Sequence, residues 1–278
     1  MGGRVIGGCA LAALVVVPAA IPQTVIGQTV FRAVNLQAGT NRALSLSCPP
    51  GSFAVSAGIS KASAGVTMLG IRLIGLRTFA LRLSDPPVGL ERRLTVAAAC
   101  RRLQARSGSS LHLRLTPVRP LRLRVGPARF RQAHLACPDG TIPAAAGYDI
   151  GGPESQVILR QQTQTLRGLT FGLVNRGTAA RSVSLYGSCL TVVRPSGASG
   201  ARLEVQLVTD TVPVQPGSQV VTRFCPRGWL SLAAGYAVPP GLALDGAAAV
   251  ARAGRWSLTS TTRQPAFAQL QLVCARLG

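Results

Sequence analysis

One phrase recurs three times along the chain with its skeleton intact. It reads CPPGSFAVSAGIS at residues 48–60, CPDGTIPAAAGYDI at 137–150 and CPRGWLSLAAGYAV at 225–238. Each copy has Cys, then Pro, then Gly at the fourth position, with Ala-Gly nine and ten positions beyond the Cys. A second Cys follows each phrase, and the pairs Cys48/Cys100, Cys137/Cys189 and Cys225/Cys274 span 52, 52 and 49 residues. Equivalent first Cys residues lie 89 and 88 apart. A period this regular limits the chain to a repeat architecture of three like units.

The six Cys allow about fifteen pairings, and the period selects Cys48–Cys100, Cys137–Cys189 and Cys225–Cys274 as disulfides. Closing a loop of this size stabilises a unit by about 4 kcal/mol in the chain-entropy model. Zinc is the other common use of clustered Cys. No CxxC occurs, and neither His112 nor His134 follows the repeat, so no metal site is expected. Within the phrase, Pro ends the entering strand because it cannot donate to a ladder. Gly at the fourth position supplies a turn with positive φ. The next residues re-enter the sheet, and Ala-Gly suits a place where two backbones approach too closely for a larger side chain. A phosphate-cradling loop would need a following helix and a Lys, and both are missing.

The period extends beyond the Cys. A strand, a Gly turn and a second strand precede each first Cys, in VNLQAGTNRALSLSC, LRVGPARFRQAHLAC and VPVQPGSQVVTRFC. Alternating runs lead to each second Cys, in LTVAAAC, SVSLYGSC and LQLVC, and another run lies upstream at Phe79, Phe171 and Trp256. Period-two alternation bounded by Gly, Pro and Ser is the half-buried strand pattern. The expected fold is all-β: three tandem, disulfide-tied antiparallel units at 29–106, 110–195 and 201–278, joined by SGSS (107–110) and PSGASG (195–200). Six short strands per unit fit a β-sandwich. A prism with approximate threefold symmetry and beads with little mutual contact are the other arrangements open to this period.

Paired-Cys modules of the form CPxG…(A/G)G…C, with Trp or Phe ahead of the closing Cys, resemble those of small exported β-rich proteins of GC-rich bacteria. The resemblance covers nearly all of the chain after its leader. The usual Gly-Gly is Ala-Gly here, and Trp holds the downstream aromatic position only at Trp256. It implies export and a disulfide-tied β fold, and carries over no functional residues.

Residues 1–28 read as a signal peptide. Arg4 supplies the positive start, Val5–Val17 an apolar run too short to span a bilayer, and Ala19, Ala20 and Gly27 the small residues near a cut. Cys9 precedes most of the apolar run, which argues against lipid attachment. The net charge of +22 is carried by Arg almost alone, with Lys61 as the sole Lys. Codon usage in a GC-rich genome explains such a skew, yet the charge attracts anionic polymers and surfaces whatever its origin. Its clearest concentration is LHLRLTPVRPLRLRV at 111–125, where Leu111, Leu113 and Leu115 face one way on a strand and His112 and Arg114 the other. Past a turn, Leu121, Leu123 and Val125 face in while Arg122 and Arg124 face out, with Arg119 between. The equivalent stretch of the third unit, LEVQLVTDTVPV, carries Glu204, Gln206 and Asp210 instead, so the fold does not require the stripe. A plain alternative is a charged edge that blunts strand addition.

Catalytic constellations are absent. No GxSxG occurs, His134 reads as an ordinary strand residue, and the nearest paired carboxylates are Asp149 and Glu154 beside a Gly-Gly-Pro loop. No acidic cluster suits calcium, no cofactor is implied, and the lack of aromatics near basic runs, Phe31 and Phe130 apart, argues against nucleic acid. The expectation is an exported, non-enzymatic structural or binding protein of the cell envelope or extracellular space. It would contact an anionic glycan or envelope surface through Arg114, Arg119, Arg122 and Arg124. A secreted hydrolase with a site at a unit junction is the alternative, and a spacer or self-assembling role is a third.

Overall fold

A computed structural model of the chain describes residues 24–61, 65–85, 87, 91–104, 112–151, 156–193 and 202–278. Most of the leader, Cys9, both joints, Leu111 and Glu154 lie outside the described residues. Regular structure within them is antiparallel β-strand throughout. The first stretch holds β1 (Thr24–Leu36), β2 (Asn41–Ser47), β3 (Phe53–Lys61), β4 (Thr67–Ile74), β5 (Thr78–Ser84) and β6 (Arg92–Gln104). The second holds β7 (His112–Pro117), β8 (Leu121–Val125), β9 (Phe130–Ala136), β10 (Ile142–Ile150), β11 (Val157–Gln164), β12 (Gly168–Asn175) and β13 (Arg181–Val193). The third holds β14 (Leu203–Val214), β15 (Gly217–Phe224), β16 (Leu230–Ala237), β17 (Leu242–Val250), β18 (Ala253–Ser260) and β19 (Ala266–Leu277). β1 opens inside the segment read as a leader, pairing Thr24 with Gln104.

Each stretch builds the same two half-sheets. One is β1-β6-β3, β7-β13-β10 or β14-β19-β16; the other is β2-β5-β4, β9-β12-β11 or β15-β18-β17. Alternation decides which faces meet. In β2 only Leu44 and Leu46 are buried, and in β5 Phe79, Leu81 and Leu83 turn inward. Against them lie Leu94 and Val96 of β6 and Leu36 of β1. A disulfide bridges the two halves of every stretch, because the first Cys follows the second strand and the second Cys sits in the last. Cys48–Cys100, Cys137–Cys189 and Cys225–Cys274 have Cα separations of 5.6, 5.8 and 5.6 Å, in the ordinary range for such bonds.

The phrase itself is a corner between the halves. Ser52, Thr141 and Trp229 donate their backbone N–H to the carbonyls of Pro49, Pro138 and Pro226, closing four-residue turns. Gly51, Gly140 and Gly228 sit at the third position with φ of 74°, 75° and 83°, which a type II turn demands. The Cys N–H groups of Cys48, Cys137 and Cys225 then bond the carbonyls of Arg77, Arg167 and Arg252, each at 2.7 Å.

The three sandwiches are not beads. β4 pairs with β10 through Ile71↔Tyr148 and Gly70↔Asp149, and β11 with β16 through Gln162↔Tyr236 and Gln161↔Ala237. At the equivalent third seam β3 runs against β17, and a Cβ on Gly58 would strike the Ala247 carbonyl. The units therefore close a ring with approximate threefold symmetry. The Ala-Gly of the phrase marks each seam: a Cβ on Gly147 would strike the Ile71 carbonyl oxygen, and one on Gly235 would lie 2.7 Å from that of Gln162. The first-type half-sheets also turn their other faces toward one another, burying a second core of Val55, Leu115, Leu190, Leu232 and Val273.

Each seam carries its own polar lock. Tyr148 donates its hydroxyl to the Met68 carbonyl at 3.0 Å, and Arg82 meets Asp149 at 2.8 Å. The amide of Gln271 pairs with the backbone of Gln164 in both directions, at 2.6 and 2.8 Å. Arg101, one residue past Cys100 and fully buried, donates to the carbonyls of Cys100, Gln28, Ala251 and Ser231. Burial away from water lowers its pKa to about 10.

Candidate functional site

The Arg stripe lies along one edge rather than on two neighbouring strands. β7 pairs with Ser188–Val193 of β13 and β8 with Arg181–Leu185 of the same strand. The Val118 N–H reaches the Gly187 carbonyl at 2.8 Å between them. The turn expected at 117–120 is a break in a single edge strand, held open by Pro117 and Pro120, which cannot donate to the ladder. Leu113, Leu115 and Val125 are buried, while Arg114, Arg119, Arg122 and Arg124 are exposed. The four guanidiniums spread over roughly 30 Å at ~3.3 Å per residue.

Their surroundings leave the charges available. Arg114 stands opposite Thr191, Arg122 opposite Ser184 and Arg124 opposite Ser182, short hydroxyl side chains that do not cover a guanidinium. No described carboxylate pairs with any of the four. Four of the acids are engaged elsewhere: Asp85 with Arg92, Asp149 with Arg82, Asp210 with Arg223 and Glu204 with Arg276, at 2.6–3.2 Å. At the equivalent edge of the third unit, β14 supplies Glu204 and Asp210 to two of those pairs and so neutralises itself. The basic edge belongs to the second unit.

A second concavity lies where all three units meet. It is a cavity of about 380 Å³, walled by Ile59, Ile71, Leu159, Val238 and Leu242 with their neighbours. Tyr148 and Tyr236 occupy equivalent places in β10 and β16 and both reach it. β-bulges aim charge into it. β4, β11 and β17 each slip register once against their hairpin partners, between Met68 and Gly70, Leu159 and Gln161, and Leu244 and Gly246. The residues left at these slips are Leu69, Arg160 and Asp245, and the last two line the cavity. Arg160 donates to the carbonyls of Pro239 and Leu242, and Thr259 donates to Asp245 at 2.6 Å.

Burial sets the acid–base character of this cavity. Both phenols are pushed upward by lost hydration, Tyr236 further by its neighbour Tyr148. Asp245 is raised by burial, partly offset by the Thr259 hydroxyl. Arg160 is lowered by burial and then by the charge of Arg176, another lining residue. Strict alternation hid these groups from sequence reasoning. The readable signal was a lone Arg and a lone Asp at equivalent places, in VILRQQTQ and LALDGAAAV, where the first unit has Leu69.

The other residues singled out by sequence stand apart from both places. His134 is exposed, with Nδ1 3.3 Å from the Thr170 hydroxyl, and His112 opens the basic edge. Asp149 is held by Arg82, and Glu154 is outside the described residues. Among the described residues no group of His, Cys, Asp and Glu is placed to hold a metal ion. Among its described lining residues the cavity at the junction offers a single carboxylate, Asp245, and no His or Cys. No protein-family model matches the chain, and no curated protein matches it by sequence.

Proposed function

We propose that the chain is an exported, non-enzymatic binding protein of the extracellular space or cell envelope. It meets an anionic glycan or envelope surface through the guanidiniums of Arg114, Arg119, Arg122 and Arg124. The observation that carries this reading is the exposed, carboxylate-free row on the outer edge of β13. Guanidinium forks match sulfate, phosphate and carboxylate in geometry, and the row is long enough to engage several groups of a polymer at once. Three disulfides fit an oxidising compartment, and no described helix is long and apolar enough to cross a membrane. The likeness of the CPxG modules to those of exported β-rich proteins supports the export part of this reading. Removal of the leader leaves β1 whole when the cut falls at or before Thr24.

The test is retention on an immobilised anionic polysaccharide across a salt gradient. Replacing Arg114, Arg122 and Arg124 by Ser should weaken binding by about tenfold or more at low salt, an effect that shrinks as salt screens the edge. Arg227, Arg255 and Arg263 are exposed in the third unit, and their replacement by Ser removes the same charge. Equal losses from both triple variants would show that net charge alone retains the protein and would sink the edge as its site.

A further inference from the structure

At the junction of three units lies a cavity of about 380 Å³ that opens to solvent on one side. Its size lies within the usual range of small-molecule sites, roughly 300–1,000 Å³. The deep wall is apolar and buried: Ile59 is 2% exposed, Ile71 3% and Leu242 2%. The rim is exposed at Gly65, Arg176 and Thr261, so a path from solvent exists.

The polar groups in the lining are unequal in what they have left to give. Tyr148 spends its proton on the Met68 carbonyl, and Arg160 is tied to two carbonyls. Asp245 already holds the Thr259 hydroxyl. Two groups are unspent. The Tyr236 hydroxyl, in a side chain more than nine-tenths buried, has no hydrogen-bond partner among the described residues although its repeat-equivalent has one. Arg176 reaches the lining beside Arg160 with no described carboxylate paired to it. The Tyr236 hydroxyl is free to take a partner inside the cavity, and two guanidiniums against one carboxylate, Asp245, leave the described lining with a net positive charge that favours an anion. Apolar walls, one free hydroxyl and one surplus cation define a complementary molecule.

We propose that the axial cavity binds a small amphipathic molecule with a single acidic head, of the class of medium-chain carboxylic acids. Its chain lies against Ile59, Ile71, Leu159 and Val238, and its head is met by the Arg176 guanidinium and the Tyr236 hydroxyl. The site is independent of the basic edge and holds whether or not that edge binds a polymer.

Isothermal titration calorimetry of the secreted protein with sodium decanoate, below its micellar range, tests this. One saturable site per chain is expected, with 1-decanol bound about tenfold more weakly because charge-assisted hydrogen bonds to the head are lost. Arg176→Ala should weaken decanoate by about tenfold and Tyr236→Phe by a few-fold, while the Arg114/Arg122/Arg124→Ser variant binds as the parent does. Arg176 is exposed, so its variant tests the idea even if a cavity variant fails to fold. Three results would overturn the proposal: no saturable binding of decanoate, binding indifferent to Arg176→Ala, or binding lost in the edge variant.

Discussion

A methyl group added at Gly147 would fall on the Ile71 carbonyl oxygen, and neither atom belongs to a flexible side chain. Relief requires the seam between β4 and β10 to open. Gly147→Ala should therefore destabilise the protein by about 1–3 kcal/mol, read as a lower midpoint in urea at unchanged slope. Nine and ten positions past each Cys, the Ala-Gly pairs were legible as points of close approach. The partner was not, because it belongs to the next unit and no local pattern names it. Tyr148 and Tyr236 carry a second consequence. Their phenols are raised when folded, so the stability they hold is intact below about pH 10, the value of a free tyrosine. It is lost as pH climbs toward the folded values, because the unfolded phenols give up protons first. Arg101 and Arg160 work in the opposite sense, since their lowered pKa values let the folded state release protons earlier, so the part played by a phenol is read by removing it. Between pH 9 and pH 11 the unfolding free energy in urea of the parent should drop relative to that of Tyr236→Phe.

At the level of strands, alternation and turn residues placed nearly everything. The runs around Phe79, Phe171 and Trp256 are β5, β12 and β18, and each carries its aromatic into the core at 0% exposure. Two things escaped. TPVRP at 116–120 has the residues of a turn, yet Val118 keeps the chain on β13 across the break. That contact lies 69 residues away from Gly187, by its two residue numbers, and no short window contains it. The bulges at Arg160 and Asp245 reverse the facing of two side chains in strands that otherwise alternate, so a strict period-two reading assigns them wrongly. The basic edge was legible for the converse reason. An edge strand meets only one neighbour, and its exposed face follows alternation without tertiary correction.

Over the whole molecule, the shared seams decide how the units depend on one another. A single unit cut from the ring would expose its two seam strands, β10 and β11 in the second unit, as open edges, together with its face of the second core. The second unit alone, residues 112–193, should fail to fold as a monomer, and the full chain should unfold in one calorimetric transition rather than three. Independent transitions for each unit would contradict the ring. The period of 89 and 88 residues revealed three like units but not their closure, because closure depends on β3 meeting β17 across the length of the chain.

A closed ring of like units has no privileged first member. The end of β6 and the start of β7, and the end of β13 and the start of β14, are two of three equivalent pairs of strand ends, and the third is Leu277 with Thr24. A linker as long as either of the first two connections would join the third pair. New termini opened between Gln104 and His112, or between Val193 and Leu203, would then leave every strand pairing in place. Circularly permuted chains of this kind should fold to the same ring with the same three disulfides. The order of the units along the gene is then free to change while the architecture stays as it is.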